Sequence, residues 1–177
     1  MSKTTIRFGL SKSEIDRAIR EVNKFKQEFE GKVDLCRKRI AEEIANYAEA
    51  NFASAVMDDV IHGSPRKPDV KVSFSDDGKI SVVVADGEDA VWCEFGAGVY
   101  HNGSVGSSPN PYGNDLGFTI GSYGEGHGKQ QAWGYYTDPD NKEGLVITRG
   151  TPASMPMYNA VQEVMRKSIE IAREVFG

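Results

Sequence analysis

The side chains of this chain best suited to chemistry are its two cysteines and three histidines. Cys93, His101 and His127 lie in the same half of the sequence, whereas Cys36 and His62 come earlier. No two of them are three or four residues apart, as ligands on one helical turn would be, and there is no Cys-x-x-Cys pair. The spacing predicts no metal site and no cofactor.

A thiol activated by a histidine is the remaining catalytic possibility, with Cys93 as nucleophile and His101 or His127 as base. Such a site requires a lowered thiol pKa and a base within hydrogen-bond reach. Val91, Cys93 and Phe95 alternate along a predicted strand, which instead favours a packing role for the thiol. We therefore predict no catalytic residues and keep a small Cys/His hydrolase as an alternative.

Residues 121–130, GSYGEGHGKQ, suggest a phosphate-binding loop because they combine glycines with a lysine. A Walker loop needs a glycine five positions before its Gly-Lys pair and a Ser or Thr after it. Gly128-Lys129 has Tyr123 and Gln130 at those positions. The dinucleotide fingerprint fails at Lys129 as well, with no βαβ unit around it. The stretch therefore predicts no nucleotide site.

Length, composition and charge limit the classes of protein that remain possible. A length of 177 residues with 39% hydrophobic residues predicts one folded domain covering residues 1–177. The net charge of −5 argues against direct nucleic-acid binding, which usually requires a basic excess. The first ten residues lack a long apolar run, so we expect synthesis in the cytoplasm and no membrane insertion. The acidic pairs Asp58-Asp59 and Asp76-Asp77 are expected to be solvated charges.

A long helix over residues 11–56 is the strongest structural prediction. Ser11 and Glu14 have the spacing of a capping box. Apolar residues then recur every three or four positions, in phase through Gly31, over about 66 Å. A helix of that length exceeds what one domain of this size covers, so its excess is either a subunit contact or an exposed end. The residues of this stripe are Ile15, Ile19, Val22, Phe25, Phe29, Val33, Cys36, Ile40, Ile44, Ala48 and Phe52.

Antiparallel strands are predicted over residues 69–100. Val70–Phe74 and Ile80–Val84 alternate on either side of Asp76-Asp77-Gly78, a strong hairpin pattern. Ala90–Phe95 is predicted as a third strand. Residues 101–143 form a glycine-rich insertion, predicted as a loop in which Gln131–Tyr136 could form a strand.

A strand over 144–149 and an amphipathic helix over 155–176 complete the predicted elements. The helix is expected to pack on the sheet through one apolar face, and the order of helix, strands and helix predicts an α+β fold. The residues of that face are Tyr158, Val161, Met165, Ile169, Ala172 and Phe176.

Aromatic residues interleaved with glycines are typical of protein contact surfaces, where rigid rings supply area at low entropy cost. Single-stranded nucleic acid would need basic residues as well, and Lys129 is the only one between residues 90 and 140. Protein contact is therefore the prediction for this set: Tyr100, Tyr123, Trp133, Tyr135 and Tyr136.

Three features occur together in a fixed order: the long N-terminal helix, residues 90–98 (AVWCEFGAG) and residues 150–160 (GTPASMPMYNA). This order resembles the tail-component family of long-tailed phages and prophages, the neck or tail-completion proteins of the head–tail junction. In that family a strand ends in a Glu-Phe-Gly-Thr-like motif and a Pro-Phe-like motif starts the last helix. Here Glu94-Phe95-Gly96 matches the first motif, with Ala97 in place of its threonine. Met155-Pro156-Met157 stands where the family has its Pro-Phe-like motif.

The resemblance implies a structural virion protein, not an enzyme, made in the host bacterial cytoplasm and located in the tail or neck. Its implied partners are further copies of itself in a ring, and head-closure, tail-tube or tail-terminator proteins. A tail terminator or another minor tail protein remains an alternative. Residues 121–130 are expected to form a flexible loop that docks on a neighbouring subunit or on a tail protein. The candidate contact residues are the aromatic set above with Trp92, Glu94, Phe95 and Gly96.

Overall fold

The computed structural model describes residues 5–58, 60–98, 110–113, 115–116 and 132–177. This part of the chain forms an α+β fold, as predicted, with a long N-terminal helix, small antiparallel sheets and a C-terminal helix packed on them. Its elements are α1 (Lys12–Ser54), β1 (Val60–His62), β2 (Lys71–Asp76), β3 (Ser81–Asp86), α2 (Glu88–Phe95), β4 (Ala97–Gly98), β5 (Trp133–Asp138), β6 (Glu143–Thr148), β7 (Gly150–Thr151) and α3 (Pro156–Phe176).

Helix α1 runs without a break through Gly31, which confirms the prediction of one long helix. Its 43 residues extend about 64 Å. At its start the Ser11 hydroxyl accepts a 3.4 Å hydrogen bond from the Glu14 amide and donates one of 2.6 Å to the Glu14 carboxylate. At its end the Lys67 ammonium donates to the carbonyl of Ala55 at 3.2 Å, which satisfies an acceptor without an intrahelical partner. Both ends of α1 are therefore capped by side chains.

Helix α3 packs along α1 in the opposite direction. The amide of Asn51 donates to the carbonyl of Pro156 at 3.0 Å, where α3 begins. Near its other end the rings of Phe29 and Phe176 lie 5.7 Å apart. The α3 residues Ala160 and Val164 are buried on the face turned inward. The helix pair therefore covers α1 from Asn51 back to Phe29.

The apolar face predicted for α3 is partly wrong. Met165 and Ile169 are each 63% exposed, whereas the buried line runs through Ala160, Val164 and Val175. Small buried residues let two helices approach closely, and Ala41 and Ala48 are buried on α1 as well. Packing on the side with the smaller residues leaves the larger side chains Met165 and Ile169 outside.

The predicted hairpin is confirmed as β2 and β3. Ser73 pairs with Val84 and Phe74 with Val83 in an antiparallel ladder, and Gly78 takes the turn with a φ of 86°. The hairpin packs on α1 through its alternate, half-buried side chains. Arg37 of α1 holds the end of the hairpin, with its guanidinium 3.2 Å from the Asp76 carboxylate.

The strands form three separate antiparallel sheets within the described residues, in the orders β1-β6-β5, β2-β3 and β4-β7. Strand β6 confirms the strand expected at 144–149. Strand β5 confirms the strand considered at Gln131–Tyr136 within the glycine-rich insertion, and it continues to Asp138. Its aromatic residues favour extended backbone, and Tyr136 pairs with Leu145 across the ladder.

The strand predicted at Ala90–Phe95 is wrong, because these residues belong to helix α2. Ala90, Cys93 and Glu94 are buried at helical spacing, whereas Val91, expected to face inward with Cys93, is exposed. Glycines bound the helix: Gly87 has a φ of 138° and Gly96 a φ of 81°, both unfavourable for other residues. The described part of this range, residues 69–98, is therefore a hairpin, a short helix and the two-residue strand β4.

Candidate functional site

The carboxylate of Glu94, in the last turn of α2, lies against the start of α3. Its Oε2 accepts a 2.8 Å hydrogen bond from the Met157 amide, and its Oε1 accepts one of 3.0 Å from the Tyr158 amide. The first amides of a helix have no intrahelical acceptor, and Met155 caps α3 without using its side chain. Glu94 supplies the missing acceptors, so the last turn of α2 and the first turn of α3 are held together.

Asn110 from the glycine-rich insertion joins the same carboxylate. It is 3% exposed, and its Nδ2 donates to Glu94 Oε1 at 2.8 Å. The Tyr112 ring meets the Tyr158 ring edge-on at 6.2 Å between centroids. We call Glu94, Asn110, Met157 and Tyr158 the Glu94 junction. It links three segments that are distant in the sequence.

The electrostatics of the Glu94 junction suit a structural role. Burial raises the pKa of Glu94, while the amides of Met157 and Tyr158 and the side chain of Asn110 act in the opposite direction. Each carboxylate oxygen already accepts at least one hydrogen bond inside the chain. The junction therefore offers a rigid connection between α2, α3 and Asn110.

Arg66 organises a second cluster beside the core. Its two terminal nitrogens donate to the Asp89 carboxylate at 2.7 and 2.9 Å, and its Nε donates to Asp58 at 3.1 Å. The Asp69 amide also donates to Asp89, at 2.9 Å, and the Tyr135 hydroxyl to Asp58, at 3.0 Å. We call these five residues the Arg66 cluster. It ties α2 and β5 to the segments around β1.

Two of the acidic residues predicted to be solvated are in fact engaged by arginine. The Asp58 side chain is 12% exposed in its pair with Arg66, and that of Asp76 is 13% exposed in its pair with Arg37. Hydrogen bonds from Arg66 hold the pKa of Asp89 below its usual range, and burial is the main cause that raises the pKa of Tyr135. The expectation of solvated charges is wrong for Asp58 and Asp76, since a tertiary partner reaches each.

Cys93 is 1% exposed within the core cluster formed with Phe52, Ala55, Met57 and Ala90. Burial raises the pKa of its thiol to about 11, whereas a nucleophilic cysteine needs a lowered value. The histidines considered as its base lie outside the described residues. Over the ranges that are described, no three His, Cys, Asp or Glu side chains are grouped as metal ligands.

The structure separates the predicted contact residues. Glu94 and Gly96 are buried, Trp92 packs on the core, and Phe95 is half-buried. The hydrogen bonds of Glu94 support a role within the fold. They do not support its predicted contact with another protein. Tyr135 belongs to the Arg66 cluster, whereas Tyr136 is 41% exposed. Trp133 begins β5, and Tyr100, Tyr123 and residues 121–130 lie outside the described part.

An apolar stripe of partly exposed side chains runs along the N-terminal half of α1. Its side chains remain 38–52% exposed, and the described contacts of α3 and the hairpin with α1 reach Phe29 and Arg37. Contiguous apolar surface of this kind marks interaction sites on soluble proteins. We call this surface the N-terminal stripe; it comprises Ile15, Ile19, Val22, Phe25, Phe29 and Val33.

Comparison with known proteins gives no relative. No protein-family model matches the chain, and neither the curated proteins nor the solved structures contain a match. Of the helices described here, none combines the length and apolar character needed to cross a membrane.

Proposed function

We propose that this chain is a structural virion protein of a phage or prophage that acts in tail completion and head–tail joining, as a subunit of a ring. The observation that carries the proposal is the contact between its two family-like motifs. The carboxylate of Glu94 in Glu94-Phe95-Gly96 accepts the amide of Met157 in Met155-Pro156-Met157. Motifs that are far apart in sequence thus form one junction, which supports treating them as one pattern.

The exposed surface supports an assembly role. From Ile15 to Phe25 the N-terminal stripe offers contact area that the described core does not use, and Tyr136 adds an exposed ring on β5. Among the strands that the structure describes, β1 and β5 are the outer ones of their sheet, and outer strands can accept a further strand from a neighbour. A subunit that joins two larger assemblies needs such surfaces.

The experiment is removal of the reading frame from its phage or prophage genome, followed by electron microscopy of the lysate. Loss of a joining protein should leave DNA-filled heads beside detached tails of normal length. Loss of a tail terminator should give tails of irregular length instead, since nothing would stop tube growth. Attached, infectious particles in normal yield would overturn the proposal.

Complementation then tests the glycine-rich insertion. The variant should lack residues 118–130 and keep residues 110–116, because Asn110 is bonded to Glu94. If residues 121–130 dock on a neighbour, this variant folds but fails to restore joined particles, whereas the full chain restores them. Full restoration by the shortened variant would contradict the docking role.

A further inference from the structure

The N-terminal stripe has a second pattern besides its helical period. Ile15, Val22 and Phe29 recur at intervals of seven residues, and Ala18, Phe25 and Lys32 follow them by three. These are the a and d positions of a heptad, the seam through which two α-helices pack in a coiled coil. Over residues 12–33 the helix is therefore suited to accept another helix along its length. Ala18 is only 7% exposed and Lys32 is charged, so the apolar seam ends at Phe29 and depends on its larger side chains.

The residues that flank the seam are charged in an ordered way. Glu14, Glu21 and Glu28 each precede an a position, so they occupy the g positions of the heptad. On the other side of the seam, e positions are held by Ile19, Lys26 and Val33. One flank is thus uniformly acidic, and the other is apolar with one lysine.

This flank pattern selects the orientation of a second copy. An antiparallel copy sets g positions against g positions, so the acidic rows would face each other and repel. A parallel copy sets each g position against the e position five residues later on its neighbour. Glu21 then meets Lys26 of the other copy, while Glu14 and Glu28 meet Ile19 and Val33. The parallel arrangement separates the acidic rows and adds a Glu21–Lys26 ion pair on each side of the seam, although the two Lys32 side chains then face each other where the apolar seam ends.

The area available lies just below the lower limit for a specific contact, so the flanking methylene groups have to contribute to it. The six side chains of the N-terminal stripe are 38–52% exposed. Half-exposed apolar side chains offer on the order of 450 Å² per copy, so that two copies bury roughly 900 Å² before the flanking methylene groups are counted. Specific interfaces start near about 1,000 Å² in total.

We propose that residues 12–33 associate with the same residues of further copies of this chain in a parallel helical bundle. The occupant of the N-terminal stripe is then a second copy, its α1 aligned in the same direction. This inference depends on α1 alone and not on the proposed role in head–tail joining. The bundle would bring the α3 and sheet portions of the copies to one end.

The first test is the mass of the purified full chain in solution, by light scattering or sedimentation, over a wide range of concentration. The expected result is a mass at least twice the 19.4 kDa of one chain. Phe25→Glu should return the mass to that of one chain, and a far-UV spectrum should show that α1 remains helical. The matched control is Ile80→Glu, at a 62% exposed apolar residue in the hairpin turn, which should keep the larger mass.

The second test is disulfide cross-linking, in a Cys36→Ala background, of two single variants, Val22→Cys and Phe29→Cys. A parallel bundle places each residue beside its own counterpart, so both variants should form linked dimers. An antiparallel pair can place only one of the two beside itself. A chain that stays monomeric, a larger mass that persists in Phe25→Glu, or linkage in only one cysteine variant would overturn the proposal.

These outcomes separate this inference from the proposed function. A parallel bundle in solution combined with normal particles after gene removal would leave the bundle standing and reject head–tail joining. Detached tails after gene removal, combined with a monomeric purified chain, would support head–tail joining and reject the bundle.

Discussion

Glu94 and Met157, 63 residues apart in the sequence, are joined by a 2.8 Å hydrogen bond from the Met157 amide to the Glu94 carboxylate. The same carboxylate accepts the Tyr158 amide and the Asn110 side chain. A residue that looks like part of a surface motif in the sequence is therefore the cap of the C-terminal helix. Replacing Glu94 should therefore lower the free energy of unfolding of this chain, apart from any effect on contacts with another protein.

Glu94→Ala should lower the free energy of unfolding by about 2–3 kcal/mol, because it leaves two helix amides and the Asn110 side chain without their acceptor. Urea denaturation at neutral pH measures the change. Glu49→Ala, at an exposed residue of α1, is the matched control and should have almost no effect. Equal stabilities for the two variants would show that the carboxylate does not cap α3.

Arg66→Ala should cost about 3 kcal/mol, because it leaves the buried Asp89 carboxylate without its counter-ion. Arg66→Lys should recover only part of the loss, since an ammonium cannot make the two parallel hydrogen bonds of the guanidinium. Thermal and urea unfolding measure both. Arg166→Ala, at an exposed pair with Glu163, should change stability by less than about 1 kcal/mol. Full recovery by lysine would contradict the bidentate geometry.

The contributions of Asp89 and Glu94 to the free energy of unfolding should change with pH in opposite directions. The pKa of Asp89 is lowered from 3.8 in the folded state, so its contribution is complete above that value and is lost as pH falls through the lower folded pKa. The difference in unfolding free energy between wild type and Asp89→Asn should therefore shrink below pH 3.8. The measurement is urea denaturation from neutral pH downward.

Glu94 provides the contrast in the same experiment. Its pKa is raised above 4.5 in the folded state, so the folded chain binds a proton more readily than the unfolded one in the window above 4.5. The difference between wild type and Glu94→Gln should grow as pH falls through that window. If both differences changed in the same direction, the assigned environments of Asp89 and Glu94 would be wrong.

Cys93 should be unreactive in the folded chain, because its thiol is buried and has a pKa of about 11. An alkylating reagent at mildly alkaline pH should modify the half-buried Cys36 first, and Cys93 only after unfolding in urea. Mass spectrometry of the peptides distinguishes the two. Rapid modification of Cys93 in the native chain would contradict its burial and would support the alternative of a small Cys/His hydrolase.

Local patterns allowed much of the fold to be predicted. Helix α1 and the β2–β3 hairpin depend on side-chain periods and on the Asp-Gly turn, and both appear with nearly the expected bounds. Helix α2 was missed because alternate apolar residues over six positions fit a strand as well as one helical side. Gly87 and Gly96 at its ends and the acidic first turn, Glu88 and Asp89, are the features that point to a helix.

The side-chain clusters were beyond sequence reasoning for a different reason. Arg66 lies between Pro65 and Pro68 and belongs to no motif in the sequence, yet it binds Asp58 and Asp89, which lie 8 and 23 residues away. Asn110 reaches Glu94 over 16 residues. Such pairs form because the packed elements bring them together, and neither composition nor periodicity encodes which carboxylate an arginine or amide will meet.

The anchoring of Asn110 to Glu94 has a consequence for the tolerance of the insertion to change in length. It fixes residue 110 at the Glu94 junction, at one point of the chain between β4 and β5. The entropy lost on closing a loop grows slowly, by about 0.6 kcal/mol for each doubling of its length. Insertions or deletions on either side of residue 110 should therefore cost little free energy of unfolding, provided that the hydrogen bond from Asn110 to Glu94 is kept.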